Sequence, residues 1–290
     1  MKLFVKSLTV IDSSYLDTKR GMVGESYQVD VELDGQLNDQ NMLLDFSLVK
    51  KQIKGIIDEV VDHKLIVPTD VVGFACEGSE QQTITFPLNS GEAIVLNGPA
   101  EAYCLLPAAD VNLVALTEYL EQVILSRLPE NITGLKITLS HETILTPFYH
   151  YSHGLKKHDG NCQRIAHGHR SRLDIFIDDV WNEALVANWC EQWRDIYLGS
   201  QEDVVSLAQL SIVLPADANA DDYVGYQYTS SQGLFELIMP TQLCDIVPLD
   251  TTIESLTQYL CQQIKQQYPN NKVKVMGYEG IGKGAIVELA

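Results

Sequence analysis

Apolar residues recur at helical spacing in two stretches that also resemble each other. Residues 116–131, LTEYLEQVILSRLPEN, and 256–271, LTQYLCQQIKQQYPNN, are identical at eight of sixteen positions at an offset of 140. Each keeps its apolar side chains on one face and stops at a Pro-Asn or Pro-Glu-Asn turn, which predicts an amphipathic helix. A strand-like segment follows each helix, GLKITLSHE at 134–142 and KVKVMGYE at 272–279. Both end on a glutamate, Glu142 and Glu279.

Alternating polar and apolar residues mark a second matched pair, GESYQVDVELDG at 24–35 and GHRSRLDIFIDD at 168–179, offset by 144. The alternation predicts half-buried strands. Helical stretches follow around 43–61 and 180–197. A third block matches SSYL (13–16) with SHGL (152–155). Three blocks in constant order predict two copies of one β-β-α-…-α-β unit. They occupy residues 1–145 and 146–290 and join near 143–147.

Between its two helices each copy adds short strand candidates. TITFPL, EAIVLN and AYCLLP fall in the first, and LSIVLP, YVGYQY and LFELIMP in the second. NSGE and SSQG suit hairpin turns between them. Helices and antiparallel hairpins in one unit predict an α+β class.

At 290 residues and 46% hydrophobic content the chain can bury a full core. Its apolar runs are too short to cross a bilayer, and the N-terminal residues lack a signal-peptide pattern, so a cytoplasmic location is expected. Lys and Arg number 20 and Asp and Glu 39, a net charge of −19. That charge repels nucleic-acid backbones and anionic membranes, so neither is an expected partner. Six cysteines without a CxxC pair read as reduced thiols.

Six of the seven histidines fall within residues 141–169. His167-Gly168-His169 opens a strand, where residues two apart face the same side. His153 ends the segment FYHYSH and can meet them across an antiparallel pair. Three neutral imidazoles leave one position open on Zn²⁺, the pattern of a catalytic rather than a structural site. A thiol beside a metal and several cations gives up its proton readily, so Cys162 can serve as a base. The alternative is that Cys162 is the fourth ligand of a closed site.

The first copy lacks this set, Ser14 standing for His153 and Val23-Gly24-Glu25 for His167-Gly168-His169. It carries Asp62-His63 after its helix, a carboxylate and imidazole that can relay a proton. At an offset of 144 the second copy reads Ser206-Leu207 there. Each copy keeps what the other lacks.

Tyr149–His153, Cys162 and His167–His169 in the second copy, with Asp45-Phe46, Asp62-His63 and Glu142 in the first and Glu279 in the second, resemble the 6-pyruvoyl-tetrahydropterin and 6-carboxytetrahydropterin synthase family. The resemblance implies two tandem tunnelling-fold (T-fold) units, with antiparallel sheets, helices on one face and a barrel closed by homo-oligomerisation. It implies zinc on His153, His167 and His169, holding the side-chain hydroxyls of a small pterin substrate. It makes Cys162 the base, with Asp62 and His63 as the relay. It gives a glutamate, Glu142 or Glu279, the guanidine-like edge of the pterin ring.

The expected function is therefore a zinc-dependent pterin synthase, a lyase acting on dihydroneopterin triphosphate. The alternatives are a catalytically silent zinc-containing module that binds a pterin or purine, and an unrelated β-rich hydrolase. Lys156, Lys157, Arg164, Arg170 and Arg172 gather five of the 20 basic residues around the histidines. Strand alternation turns Arg170 and Arg172 away from the metal, which leaves Lys156, Lys157 and Arg164 as expected phosphate contacts.

Overall fold

The computed structural model describes residues 1–37, 39, 41–43 and 45–290. The first half runs β1 (Lys2–Asp17), β2 (Gly21–Gly35), α1 (Phe46–Val60), β3 (Leu65–Pro68), β4 (Ala75–Glu77), β5 (Gln81–Pro87), β6 (Ala93–Pro99), β7 (Tyr103–Leu106), α2 (Leu113–Leu125) and β8 (Ile132–Ser140). The second half runs β9 (Phe148–His153), β10 (His167–Ile177), β11 (Val180–Trp181), α3 (Glu183–Gln192), β12 (Ile196–Ser200) and β13 (Val204–Val205). It continues through β14 (Tyr223–Ser230), β15 (Gly233–Pro240), β16 (Cys244–Val247), α4 (Ile253–Gln267), β17 (Val273–Tyr278) and β18 (Gly284–Leu289). The class is α+β. None of the described helices is long and apolar enough to cross a membrane.

Two sheets share one plan. The first has the order β7-β3-β1-β2-β8 and the second β16-β12-β9-β10-β17-β18, with β11 beside β10. In each, two long antiparallel strands are flanked by short strands that pair in parallel. Helices cover one face of each sheet. Ile53 and Ile57 of α1 and Leu116, Leu120 and Ile124 of α2 bury against Val29 and Val31. Val186 of α3 and Leu256, Leu260 and Ile264 of α4 bury against Leu173 and Ile175. Each such side chain contributes about 1.5–3 kcal/mol when fully buried. Both later helices in each half start on a side-chain cap. Asn112 accepts from the backbone of Val114 and Ala115, and Thr252 accepts from that of Ser255.

The hairpins of the two halves do not form separate sheets. They merge into one six-stranded sheet, β13-β14-β15-β6-β5-β4, stitched where Leu96 of β6 pairs with Leu237 of β15. Its apolar face, with Phe86, Ile94, Tyr226 and Phe235, packs with Leu16, Met22 and Tyr197 from the other two sheets. The strand expected at LSIVLP is absent, because residues 207–215 form a 3-10 turn followed by irregular chain.

Sheet register gives the equivalence between halves. Ser14 pairs with Gly24 as Ser152 pairs with Gly168, and Tyr15 pairs with Val23 as His153 pairs with His167. Tyr15, not Ser14, therefore stands at the position of His153. Val29 pairs with Leu139 as Leu173 pairs with Gly277. That places His141, not Glu142, opposite Glu279. Ser14 pairs with Leu65 as Ser152 pairs with Tyr197, so Arg194-Asp195, not Ser206-Leu207, answers to Asp62-His63. His63 and Asp195 even share the left-handed conformation, with φ of 54° and 56°.

The long strands of the two halves lie against each other at the two central glycines. A Cβ on Gly24 would sit 1.9 Å from the Tyr151 carbonyl oxygen, and one on Gly168 would sit 2.4 Å from the same atom and 2.7 Å from the Gly24 Cα. Only glycine admits this approach. The contact sets the distance between whatever the two halves contribute to a common site.

Candidate metal centre and proton relay

His153 closes β9 and His167 opens β10, directly paired, with His169 two residues on and on the same face. The three rings place one nitrogen each within 4.8 Å of one another. All three residues are buried. Burial holds His153 and His167 well below the usual imidazole range, so both are neutral with a lone pair to offer. His153 donates from Nδ1 to the Thr251 carbonyl at 2.9 Å, which leaves Nε2 as its free donor atom. Nε2 of His153 and both ring nitrogens of His167 and His169 lack a hydrogen-bond partner. Buried imidazole nitrogens that converge in this way without hydrogen-bond partners fit a bound cation.

Around the triad stand groups that sequence reading passed over. Asp12, from β1 of the first half, lies 3.3 Å from His169 Nδ1. Burial opposes its charge, but His169, Lys283 and the Ser26 hydroxyl prevail and hold it below the usual carboxylate range. Lys283 reaches Asp12 at 3.2 Å and Glu279 at 3.9 Å. Glu279 in turn stands 3.9 Å from His169 Nε2. Asp12 sits in a plain strand with no motif, so only its position across the contact between halves reveals it.

The relay pair comes from the first half. Asp62 and His63 follow α1, and the left-handed turn at His63 is tied by its backbone N–H donating to the Asp12 carbonyl at 2.8 Å. Asp62 Oδ1 accepts from the Asp12 backbone at 2.9 Å, and Oδ2 meets His63 Nδ1 at 2.7 Å. Cys162, on the short 3-10 turn Asn161–Gln163 ahead of β10, lies beside His63. Burial works against a charged His63, but Asp62 and Cys162 together raise it to about 10. Its ring centroid lies 5.4 Å from that of His167. Asp62, His63, Cys162 and the three histidines thus meet in one chain, across its two halves.

The other expected contacts are placed differently. Glu142 pairs with Arg172 at 3.4 Å, and Arg172 lies on the opposite face of β10 from His169. Lys156 is matched by Asp203 at 2.5 Å and Glu202 at 3.0 Å, and Lys157 by Glu202 at 3.0 Å and Asp250 at 2.9 Å. Arg164 is buried, with Nη1 donating to the His63 carbonyl and Nε to Gln232.

Fold and site together define a mixed α+β protein with a candidate metal centre served by a carboxylate–imidazole–thiol chain. The profile of the 6-pyruvoyl tetrahydropterin synthase family matches residues 13–143, a stretch that includes Asp62 and His63 and ends before His153. A protein of Methanocaldococcus jannaschii assigned as a 6-carboxy-5,6,7,8-tetrahydropterin synthase is 32% identical over 122 residues, covering 40% of this chain and 72% of that protein. One of Pyrococcus abyssi with the same assignment is 25% identical over 130 residues, covering 44% and 73%. The chain belongs to the 6-pyruvoyl tetrahydropterin synthase family. Among solved structures, 6-pyruvoyl tetrahydropterin synthase of Plasmodium vivax aligns at a TM-score of 0.39 and 16% identity, over 48% of this chain and 90% of that one.

Proposed function

We propose that this chain is a zinc-dependent pterin synthase of the 6-carboxy- or 6-pyruvoyl type, acting on dihydroneopterin triphosphate. The observation that carries the reading is the Asp62–His63 pair and Cys162 beside three buried imidazoles that bring one nitrogen each within 4.8 Å of one another. His153, His167 and His169 would hold the zinc. A zinc ion there supplies Lewis acidity toward the side-chain hydroxyl oxygens of the substrate.

Cys162 takes a proton from the substrate carbon side chain. Asp62 holds the His63 ring, and the cationic ring beside Cys162 is the charge partner of a thiolate base. Asp12 and the Thr251 carbonyl fix the ring orientations of His169 and His153. Glu279, at the edge of the triad, is the better placed of the two glutamates to accept from the guanidine-like edge of a pterin. Glu142 is engaged by Arg172. Lys283, half exposed and paired with Asp12 beside His169, stands at the same mouth and suits the triphosphate by position, whereas Lys156 and Lys157 are paired with Glu202, Asp203 and Asp250.

Residues 1–145 and 146–290 are read as two T-fold units in one chain, and the chain as a subunit of a homo-oligomer. β7, β8, β16 and β18 are the edge strands of the two helix-covered sheets, and barrel closure would cover them. Turnover of dihydroneopterin triphosphate with identification of the product tests the reading. Pterin binding with no turnover by metal-replete protein would instead identify a silent binding module.

A further inference from the structure

We propose that a second cavity, at the place in the first half that answers to the histidine triad, is a metal-free binding site for a small planar organic anion. The cavity has a volume of about 920 Å³, and Tyr15, Glu25, His141, Phe148, His150 and Arg170 line it with the first turn of α2. By sheet register Tyr15, Val23 and Glu25 occupy the positions of His153, His167 and His169. No set of three metal-ligating groups forms there among the described residues.

The residue types are exchanged between the two places. His169 is flanked by two carboxylates, Asp12 at 3.3 Å and Glu279 at 3.9 Å. Glu25 is flanked by two imidazoles, His141 at 3.4 Å and His150 at 3.7 Å. The exchange is residue for residue. His150 answers to Asp12 and His141 to Glu279, as the pairing of Asp12 with Ser26 and His150 with Arg170 requires. The carboxylates that suit a cation at the triad are replaced by imidazoles that burial holds below their usual range, so this second place carries no acidic flank for a cation.

One cation in the cavity is free to meet a ligand. Arg20 is consumed by Asp195, at 2.9 and 2.5 Å, and by the Tyr15 hydroxyl at 2.7 Å. The Arg170 guanidinium lies 4.3 Å from the Phe148 ring centroid, and its buried Nε has no hydrogen-bond partner. Among the described residues it makes no salt bridge. An unpaired guanidinium in partial burial costs free energy unless an anion meets it. Glu25 does not oppose this, because burial raises it to about 7 and keeps much of it uncharged. Phe148, Tyr15 and the apolar side chains of Leu113 and Val114 give a flat ligand body its contact surface.

The test is titration of the purified protein with fluorescent pterin-6-carboxylate as a planar carboxylate probe, with inorganic phosphate as competitor. Arg170→Gln removes the anchor. Val114→Trp fills the cavity from an exposed helix position and leaves β10 untouched. Each variant should lose one equivalent of bound probe, or bind that equivalent about tenfold more weakly, as expected for loss of a charge-assisted pair. Displacement of that equivalent by phosphate supports a phosphate-bearing ligand, and binding that phosphate does not displace supports a carboxylate. A probe stoichiometry unchanged in both variants overturns the proposal, and so does a wild-type protein that binds neither anion. Since the count is of the equivalent lost in these variants, it is independent of whether the triad turns over substrate.

Discussion

The Ser14 hydroxyl donates to the Ser152 hydroxyl at 2.6 Å, joining two residues that hold the same register position in the two halves of the chain. Beside them Gly24 and Gly168 meet backbone to backbone. The Asp62–His63 pair of one half and the histidines of the other are held together by this contact. It should therefore be the least tolerant part of the molecule. Gly24→Ala places a Cβ against the Tyr151 backbone and is expected to destabilise the fold by about 3 kcal/mol or more. Ser14→Ala, which loses one buried hydrogen bond, should cost on the order of 1 kcal/mol. Chemical denaturation checks both.

One metal ion per chain is expected, bound by the second half alone. Elemental analysis of wild type should give one equivalent of zinc, and His167→Ala should give none. Two equivalents in wild type would place a second ion where Tyr15, Val23 and Glu25 stand, and would contradict the ligand assignment.

Cys162→Ala is expected to keep its metal and to lose turnover. Asp62→Asn should keep the metal too and lower kcat by about a hundredfold, the range of a general acid–base contribution. Release of metal from Cys162→Ala would make the thiol a fourth ligand instead of a base.

Glu25 predicts a pH dependence. Its folded value is raised from 4.5 to about 7, chiefly by burial. The uncharged form is favoured in the fold, so this group's contribution is fully present below 4.5 and is lost as pH rises through about 7. Glu25→Gln removes that loss. The variant should exceed wild type in stability at pH 8 by on the order of 2 kcal/mol, and the gap should close near pH 4.5. Urea unfolding at the two pH values reads the difference.

The helical repeat and the alternation of β2 and β10 made the main elements legible before any coordinates. His153, His167 and His169 were legible too, because a strand fixes which residues share a face. Register was not. Matching SSYL to SHGL by identity puts Ser14 at His153, whereas the ladder puts Tyr15 there, and a single-residue slip exchanges faces. The same slip paired Glu142 with Glu279 when the ladder pairs His141 with it. Asp12 and Lys283 escaped because their roles depend on contacts between distant segments. The ion pairs of Lys156 and Lys157 escaped for the same reason, since Glu202, Asp203 and Asp250 lie far along the chain.

The shared six-stranded sheet carries a consequence for how the molecule can vary. In an assembly of identical one-unit chains, any substitution is copied at every site, and a change that spoils one centre spoils them all. Here the two unlike halves belong to one polypeptide, and β6 and β15 pair them within one sheet. A substitution at Glu25, His141 or His150 has no obligatory counterpart at His169, Glu279 or Asp12. One half's site is free to drift toward new chemistry while the other's is kept.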